Sequence, residues 1–349
     1  MKRVKVAQVG CGYWGQNLIR NFSEVDEAQV VVACDAYAPS LARIQKRYPG
    51  VQGESSFDAV LNNPNVDAVV LATPVSTHFD FARRALLAGK HVLVEKPMTT
   101  TGDEALELID IADRKNLKLM VDHTFLYTSA VRRMKKLVDS GELGDLLYFD
   151  SVRINLGLVQ SDTNVIWDLA PHDLSIMDYL CSPEPVAVSA IAAAHLNCPH
   201  ANMAYVTVKF NSNSNLIAHF HVNWLSPVKV RRTLVGGSKR MLVYDDMENS
   251  EKIKVYDKGI TITLDSEQRT NMLTGYRNGD ILVPNLDTGE ALRLMAREFV
   301  TSILEDRTPL TDGQAGFRVV RLLDAAQRSL DEGREIELPH SHAMAAAAV

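Results

Sequence analysis

The glycine pattern at the start of this chain limits its fold more than any other feature. Gly10-Cys11-Gly12-Tyr13-Trp14-Gly15 follows directly on a strand-like run, Val4 to Val9, and precedes a helical pattern at Leu18, Ile19 and Phe22. In a G-x-G-x-x-G turn between strand and helix, the first glycine makes the tight turn. The second lets backbone approach a pyrophosphate and the third lets the helix pack close to the sheet, while the helix's first N–H groups point at the phosphates. A glycine cluster alone is most often an ordinary turn. Here the flanking strand and helix, with a second apolar run from Val30 to Cys34 that ends in Asp35, supply the context a dinucleotide site requires.

Asp35 is the more informative residue. A carboxylate at the end of the second strand can accept hydrogen bonds from both hydroxyls of the adenosine ribose, and it repels a 2′-phosphate. An NADP site usually places an Arg beside this position. The residues here are Ala36, Tyr37 and Ala38, and Arg43 belongs to the following helix. The alternative, a turn residue closing a strand, explains less. NAD is the expected cofactor.

At 349 residues the chain suits two domains. A net charge of −6 without any basic block disfavours nucleic acid as a partner. The basic cluster Arg132-Arg133-Met134-Lys135-Lys136 reads as the solvated face of a helix that ends at Asp139-Ser140-Gly141. No apolar run reaches the roughly 18 residues of a membrane span, and the first apolar stretch is a strand broken by glycines rather than a signal peptide. Cys11, Cys34, Cys181 and Cys198 show no C-x-x-C spacing and read as reduced thiols, so a cytoplasmic location is expected. The Ala-rich residues 339–349 read as a tail.

Residues 1–123 alternate short apolar runs (4–9, 30–34, 67–72, 91–95, 118–122) with amphipathic stretches such as 77–88 and 103–115. That pattern predicts a parallel sheet covered by helices, an NAD-binding Rossmann domain. Thr99 to Asp103 supplies capping residues for the helix near Glu104. In residues 124–338 strand-like alternation takes over, over 146–156, 186–194, 204–210, 216–224, 230–236 and 241–244, with helices near 168–180, 290–304 and 315–332. The fold class is therefore α/β, with an α+β second domain on a large, open, mostly antiparallel sheet.

Two clusters carry chemistry. Glu95-Lys96-Pro97 follows the strand His91 to Val94, and ligands of open α/β sheets lie beyond the carboxyl ends of the strands. Pro97 is a candidate cis residue that would aim Lys96, and an amine beside a nicotinamide can polarise a substrate hydroxyl or relay its proton. The plainer reading is a surface Lys at a strand end. The second cluster is Asp168-x-x-x-His172, whose members share one face of a helix. Leu169, Ile176 and Leu180 give that helix an apolar face, and Pro171 suits its first turn, with Asp168 as a cap-like start. A His beside a carboxylate is a general base for a hydroxyl that loses hydride from the same carbon. The plainer reading is a capping Asp and a partly buried His, and spacing leaves Asp173 open as the partner of His172. His219 and His221 share one strand face without other ligands nearby, so no metal site is expected.

Taken in order, Gly10 to Gly15, Asp35, Ala72-Thr73-Pro74, Glu95-Lys96-Pro97 and Asp168-x-x-x-His172 resemble the glucose–fructose oxidoreductase / inositol dehydrogenase (Gfo/Idh/MocA) family over nearly the whole chain. The resemblance implies a Rossmann domain followed by an open-sheet domain that commonly builds homodimers or homotetramers. It implies Lys96, Asp168 and His172 as catalytic residues, with His172 as the acid/base. Coenzyme contacts would come from Gly10, Gly12, Tyr13, Trp14, Gly15, Asp35, Thr73, Pro74, His78 and Glu95-Lys96-Pro97. The segments Gly12 to Phe22, Ile166 to Asp173 and Val235 to Ser238 are similar to the branch acting at C3 of nucleotide-linked sugars, as in UDP-N-acetylglucosaminuronate 3-dehydrogenases. Arg153, Asn155, Asn164 and Trp167 would join Lys96, Asp168 and His172 as substrate contacts. The expected activity is an NAD-dependent dehydrogenase of a sugar hydroxyl. Alternatives are an inositol or free-sugar dehydrogenase, a glycoside hydrolase using NAD transiently, and a non-catalytic NAD sensor.

Overall fold

A computed structural model describes residues 3–157, 160, 163–264 and 272–339; the expected tail lies outside these from residue 340 onward. The first sheet contains β1 (Val4–Val9), β2 (Ala28–Cys34), β3 (Gln52–Glu54), β4 (Ala68–Leu71), β5 (His91–Glu95) and β6 (Leu119–Asp122). Its order is β3-β2-β1-β4-β5-β6, and every pairing is parallel. The helices α1 (Tyr13–Ser23), α2 (Ala38–Arg47), α3 (Phe57–Asn62), α4 (His78–Leu87) and α5 (Gly102–Arg114) make the connections. This is the doubly wound dinucleotide-binding arrangement, with order reversing beside β1.

The β4 and β5 runs are uninterruptedly apolar because both faces are covered, and Val69, Val70, Leu71, Val92 and Val94 are fully buried. α5 starts where the capping residues stand: Thr101 accepts from the Glu104 N–H at 3.3 Å, and Glu104 accepts from the Thr100 N–H at 3.0 Å. The short β3 was not among the expected strands, since three residues pair too little backbone to leave a periodic signature.

The second sheet contains β7 (Leu146–Leu156), β8 (Pro185–Ala193), β9 (Met203–Phe210), β10 (Ile217–Asn223), β11 (Leu225–Gly237), β12 (Met241–Asp245), β13 (Ile253–Leu264), β14 (Met272–Leu282) and β15 (Ile336–Glu337). The order is β14-β13-β12-β11-β7-β10-β9-β8-β15, antiparallel except for the β7–β10 pair. Helices α6 (Ser129–Asp139) and α7 (Val165–Leu180) belong to the same unit, and α7 packs on β7, β9 and β10. Alternation makes one face of the sheet apolar: Ala204, Val206, Val208, Ala218, Phe220 and Val222 are buried.

The two compact units of the structure are not separated by a single division at residue 123. The chain forms one unit from Met1–Thr128 with Thr288–Asp324 and another from Ser129–Asp287 with Ala325–Val349. The returning segment carries α8 (Ala291–Leu304) and the start of α9 (Gly313–Glu332). Phe299 of α8 meets Phe22 of α1 edge to face at 6.3 Å, and Arg20 bonds Glu290 at 2.9 Å. Thr311 gives its carbonyl to the Val121 N–H at 2.8 Å and its hydroxyl to the Val121 carbonyl at 2.7 Å. Each apolar side chain so buried contributes about 1.5–3 kcal/mol, which explains why the segment closes back on the first unit. Among the described residues, no helix is long and apolar enough to cross a membrane.

Candidate active site

The coenzyme half is built on the carboxyl ends of β1, β2, β4 and β5. Gly10 has φ +84°, and a Cβ there would stand 2.3 Å from the Ala72 carbonyl oxygen. A Cβ at Gly15 would stand 1.9 Å from the Gly10 carbonyl oxygen, so the loop and α1 approach each other only without side chains. At Gly12 the corresponding space is open, and no side chain caps α1. The first-turn N–H groups thus form an anion site that a ligand can reach. Gln8, buried under the loop, donates to the Gly10 carbonyl at 3.1 Å and the Val9 carbonyl at 3.2 Å. Tyr13 and Trp14 stand out from the loop, 77% and 53% exposed, in an edge-to-face pair.

Asp35 ties the end of β2 to this loop. Its carboxylate accepts from the Cys11 N–H at 2.7 Å and from the Tyr37 N–H at 2.8 Å. An ionised carboxyl has about four acceptor positions, so capacity for ribose hydroxyls remains. Cys11 and Cys34 are free thiols pushed up to about 12 and about 11, burial being the main cause, and so stay protonated. The open approach at Gly12, the uncapped helix and the carboxylate fit a bound dinucleotide.

Thr73 and Pro74 follow β4, where the Thr73 hydroxyl accepts from Thr77 at 2.7 Å. His78 was expected to contact the coenzyme, and here the structure differs. Its ring is 1% exposed, with Nδ1 2.9 Å from the Pro97 carbonyl and Nε2 2.9 Å from the Thr73 carbonyl. His78 therefore braces the β4 loop against the β5 loop. Burial, its largest influence, pushes its pKa below the usual histidine value. The Lys96–Pro97 peptide is cis, in line with the sequence reading. Glu95, register partner of Asp122 on β6, accepts from the Lys96 N–H at 3.2 Å.

The expected acid/base residues sit on α7, in the second unit. Asp168 and His172 lie one turn apart on this helix, both half-buried. Asp168 accepts from the indole N–H of Trp224 at 3.0 Å; Trp224 is buried just beyond β10. Nothing in the local pattern around Asp168 names this partner, although Trp224 falls on the inward side of the Ala218, Phe220, Val222 alternation. Asp173 is taken by Arg153 of β7, Nε to Oδ2 at 2.6 Å and Nη2 to Oδ1 at 2.8 Å, both side chains 4% exposed. This corrects the reading of Arg153 as a substrate contact and commits Asp173 to a partner other than His172.

Asn164 needs a similar correction. Its side-chain oxygen accepts from the Ile166 N–H at 3.0 Å and the Trp167 N–H at 3.3 Å, and its amide donates to Gln327 at 2.8 Å. It is thus the N-cap of α7. The helix begins earlier than the sequence suggested, so Pro171 falls inside it and Asp168 is not its cap. Trp167 lies in the first turn, and Asn155, near the end of β7, is half-buried.

Comparisons with known proteins agree with this architecture. Residues 4–123 match the description "Oxidoreductase family, NAD-binding Rossmann fold" of GFO/IDH/MocA, and residues 131–243 match the GFO/IDH/MocA C-terminal domain. The chain is 27% identical over 321 residues to UDP-N-acetylglucosamine 3-dehydrogenase of Acidithiobacillus ferrooxidans, covering 92% of this chain and 95% of that one. The solved structure of UDP-N-acetylglucosamine 3-dehydrogenase from that organism superposes with TM-score 0.79 at 25% identity, covering 95% of this chain and 99% of that one. Inositol 2-dehydrogenase 2 of Saccharopolyspora erythraea is 30% identical over 192 residues, 54% of this chain and 56% of that protein. With both domains matched in sequence and the coenzyme loop built as such a loop must be, the chain belongs to the GFO/IDH/MocA family of NAD-dependent oxidoreductases.

Proposed function

We propose that this protein is a dehydrogenase acting on a secondary hydroxyl of a sugar, at C3 of a nucleotide-linked N-acetylhexosamine or its uronate. The observation that carries the reading is the α7 site, where His172 stands one turn from an Asp168 whose carboxylate is fixed by Trp224. The similarity to a UDP-N-acetylglucosamine 3-dehydrogenase over nearly the full length supports the substrate class.

In this reading His172 takes the hydroxyl proton as general base, and Asp168 stabilises the resulting imidazolium. Lys96, after β5 in the first unit, is the residue of that unit suited to polarise a substrate hydroxyl. The bound coenzyme would supply the hydride acceptor, as NAD, in oxidation and the hydride donor, as NADH, in reduction. Tyr13, Trp14, Gly12 and Asp35 hold the coenzyme, with Gln8 and His78 keeping the loops in position.

The outer face of the second sheet, with Ile191 exposed beside Tyr205 and Ile217 exposed further along beside Lys209, suits a homodimer or homotetramer of a cytoplasmic enzyme. Sedimentation of the purified protein as a monomer would remove this part of the proposal.

Two measurements test the whole. Mass spectrometry of small molecules released by denaturing the purified protein is expected to detect a nicotinamide coenzyme and a sugar nucleotide. Absorbance of NADH should then rise with UDP-N-acetylglucosamine or its uronate. No NADH with either, nor with free sugars or inositols, would sink the assignment.

A further inference from the structure

Two carboxyl groups stand beside the lysine loop, and the function read above uses neither of them. Glu95 closes β5 and Asp122 closes β6; they are partners in the parallel register, so their side chains leave the same face of the sheet. Paired in register at adjacent strand ends and shielded from solvent, the two carboxyl groups come within hydrogen-bond reach of each other. Neither ionised oxygen has a donor, so such a bond exists only with a proton between the pair.

The surroundings decide where that proton resides. Thr124 gives Asp122 both its hydroxyl and its backbone N–H, which favours the anion there. Glu95 receives one N–H, from Lys96, at Oε2. Burial pushes both carboxyls above the ordinary range, Glu95 the more strongly, and the charge of Lys96 pulls each back. His123, the next residue, is buried and held neutral, pushed down to about 3 by burial first and then by Lys96 and Arg318. Lys96 and Arg318 thus act on His123 as cations, and Arg318 also faces Asp312.

We propose that Glu95 and Asp122 share one proton as an acid–carboxylate pair, and that Asp122 is thereby a positioning residue for Lys96. The proton lies on Glu95, which donates to Asp122 and keeps Oε2 turned to the Lys96 amide. Asp122, clamped by Thr124, fixes Glu95 from below, and Glu95 fixes the backbone from which Lys96 projects. The role in turnover rests on the dehydrogenase reading; the shared proton does not.

Infrared spectroscopy of the whole protein at neutral pH tests the pair directly, through the C=O stretch of a protonated carboxylic acid. Difference spectra of wild type against Glu95→Gln and against Asp122→Asn are each expected to lose one such band. If wild type carries no neutral carboxyl at this pH, or both variants keep it, the pair is not as described. Among variants assayed for turnover, Asp122→Ala should lower kcat/KM about tenfold, the cost of one lost hydrogen bond. Asp122→Asn, whose amide can donate to an ionised Glu95, should recover most of that loss. Equal loss in both variants, at equal thermal stability, would overturn the positioning role while leaving the spectroscopic result to stand or fall alone.

Discussion

The two halves of this protein hold their chemistry in different ways. In the first unit the working groups are mostly backbone: the turn at Gly10, the uncapped start of α1, the cis peptide at Pro97. In the second the candidate groups are side chains on one helix, and Asp168 is fixed by Trp224, a residue remote in sequence. A backbone site is specified by the residues that form it, whereas a side-chain site depends on what the fold brings beside it. The two halves should therefore fail differently when mutated.

The largest difference should come from Arg153. Removing one member of a buried ion pair leaves an uncompensated charge and costs about 3–5 kcal/mol. Arg153→Met and Asp173→Asn are thus expected to lower the urea midpoint of unfolding sharply. A raised KM at unchanged stability would return Arg153 to the substrate and break the contrast. Next in size, Lys96→Ala and His172→Ala should each reduce turnover at least about a hundredfold while NADH fluorescence titrations stay near wild type. Near-normal turnover in both would remove the acid/base assignment from the two halves together.

Legibility in the sequence follows the same division. The glycine loop, Asp35 and Glu95-Lys96-Pro97 could be read because each sits in a short segment whose conformation its own residues dictate. His78 was assigned to the coenzyme because its position in the segment says nothing of its depth; it is a buried brace between two loops. Glu95 and Asp122 meet only through the register of β5 with β6, which no local pattern gives. Arg153 with Asp173, and Asp168 with Trp224, are pairings across the second sheet and its helix. An Asn ahead of a helix serves equally as cap or ligand contact, and only the N–H groups it accepts decide that Asn164 is a cap. The helical periodicity of α8 was readable, but an amphipathic face does not name the unit it covers.

A pH effect sharpens the contrast further. His123 is held near 3 in the folded protein, against about 6.5 when unfolded, so the unfolded chain binds the proton first as pH falls. Its contribution is complete above about pH 6.5 and is lost progressively below that. Between about pH 6.5 and 5 the loss should reach about 2 kcal/mol, and His123→Leu should flatten that part of the stability curve. An unchanged slope would mean that the ring is already charged or solvated. Smaller again, Asp35→Ala should move the NAD-to-NADP preference about tenfold toward NADP, through lost repulsion of the 2′-phosphate. Asp35→Asn keeps an acceptor for the Cys11 N–H and so separates charge from loop order. If preference is unchanged in both, discrimination lies elsewhere in the first unit.

The smallest effect should come from Trp224, and it probes the second half most finely. The indole N–H is a donor to Asp168, while the ring body is core, so Trp224→Phe removes the donor and leaves most of the packing. The loss of one such bond is worth about 1 kcal/mol, a fall in kcat of about fivefold if Asp168 must stay oriented toward His172. KM for the substrate should hardly move, because the bond is made beneath the helix and not to substrate. A change in KM with kcat intact would instead make Trp224 part of the wall against which the substrate binds. In that case Asp168 would not need its donor, and the second half would resemble the first more than its side-chain pairings suggest.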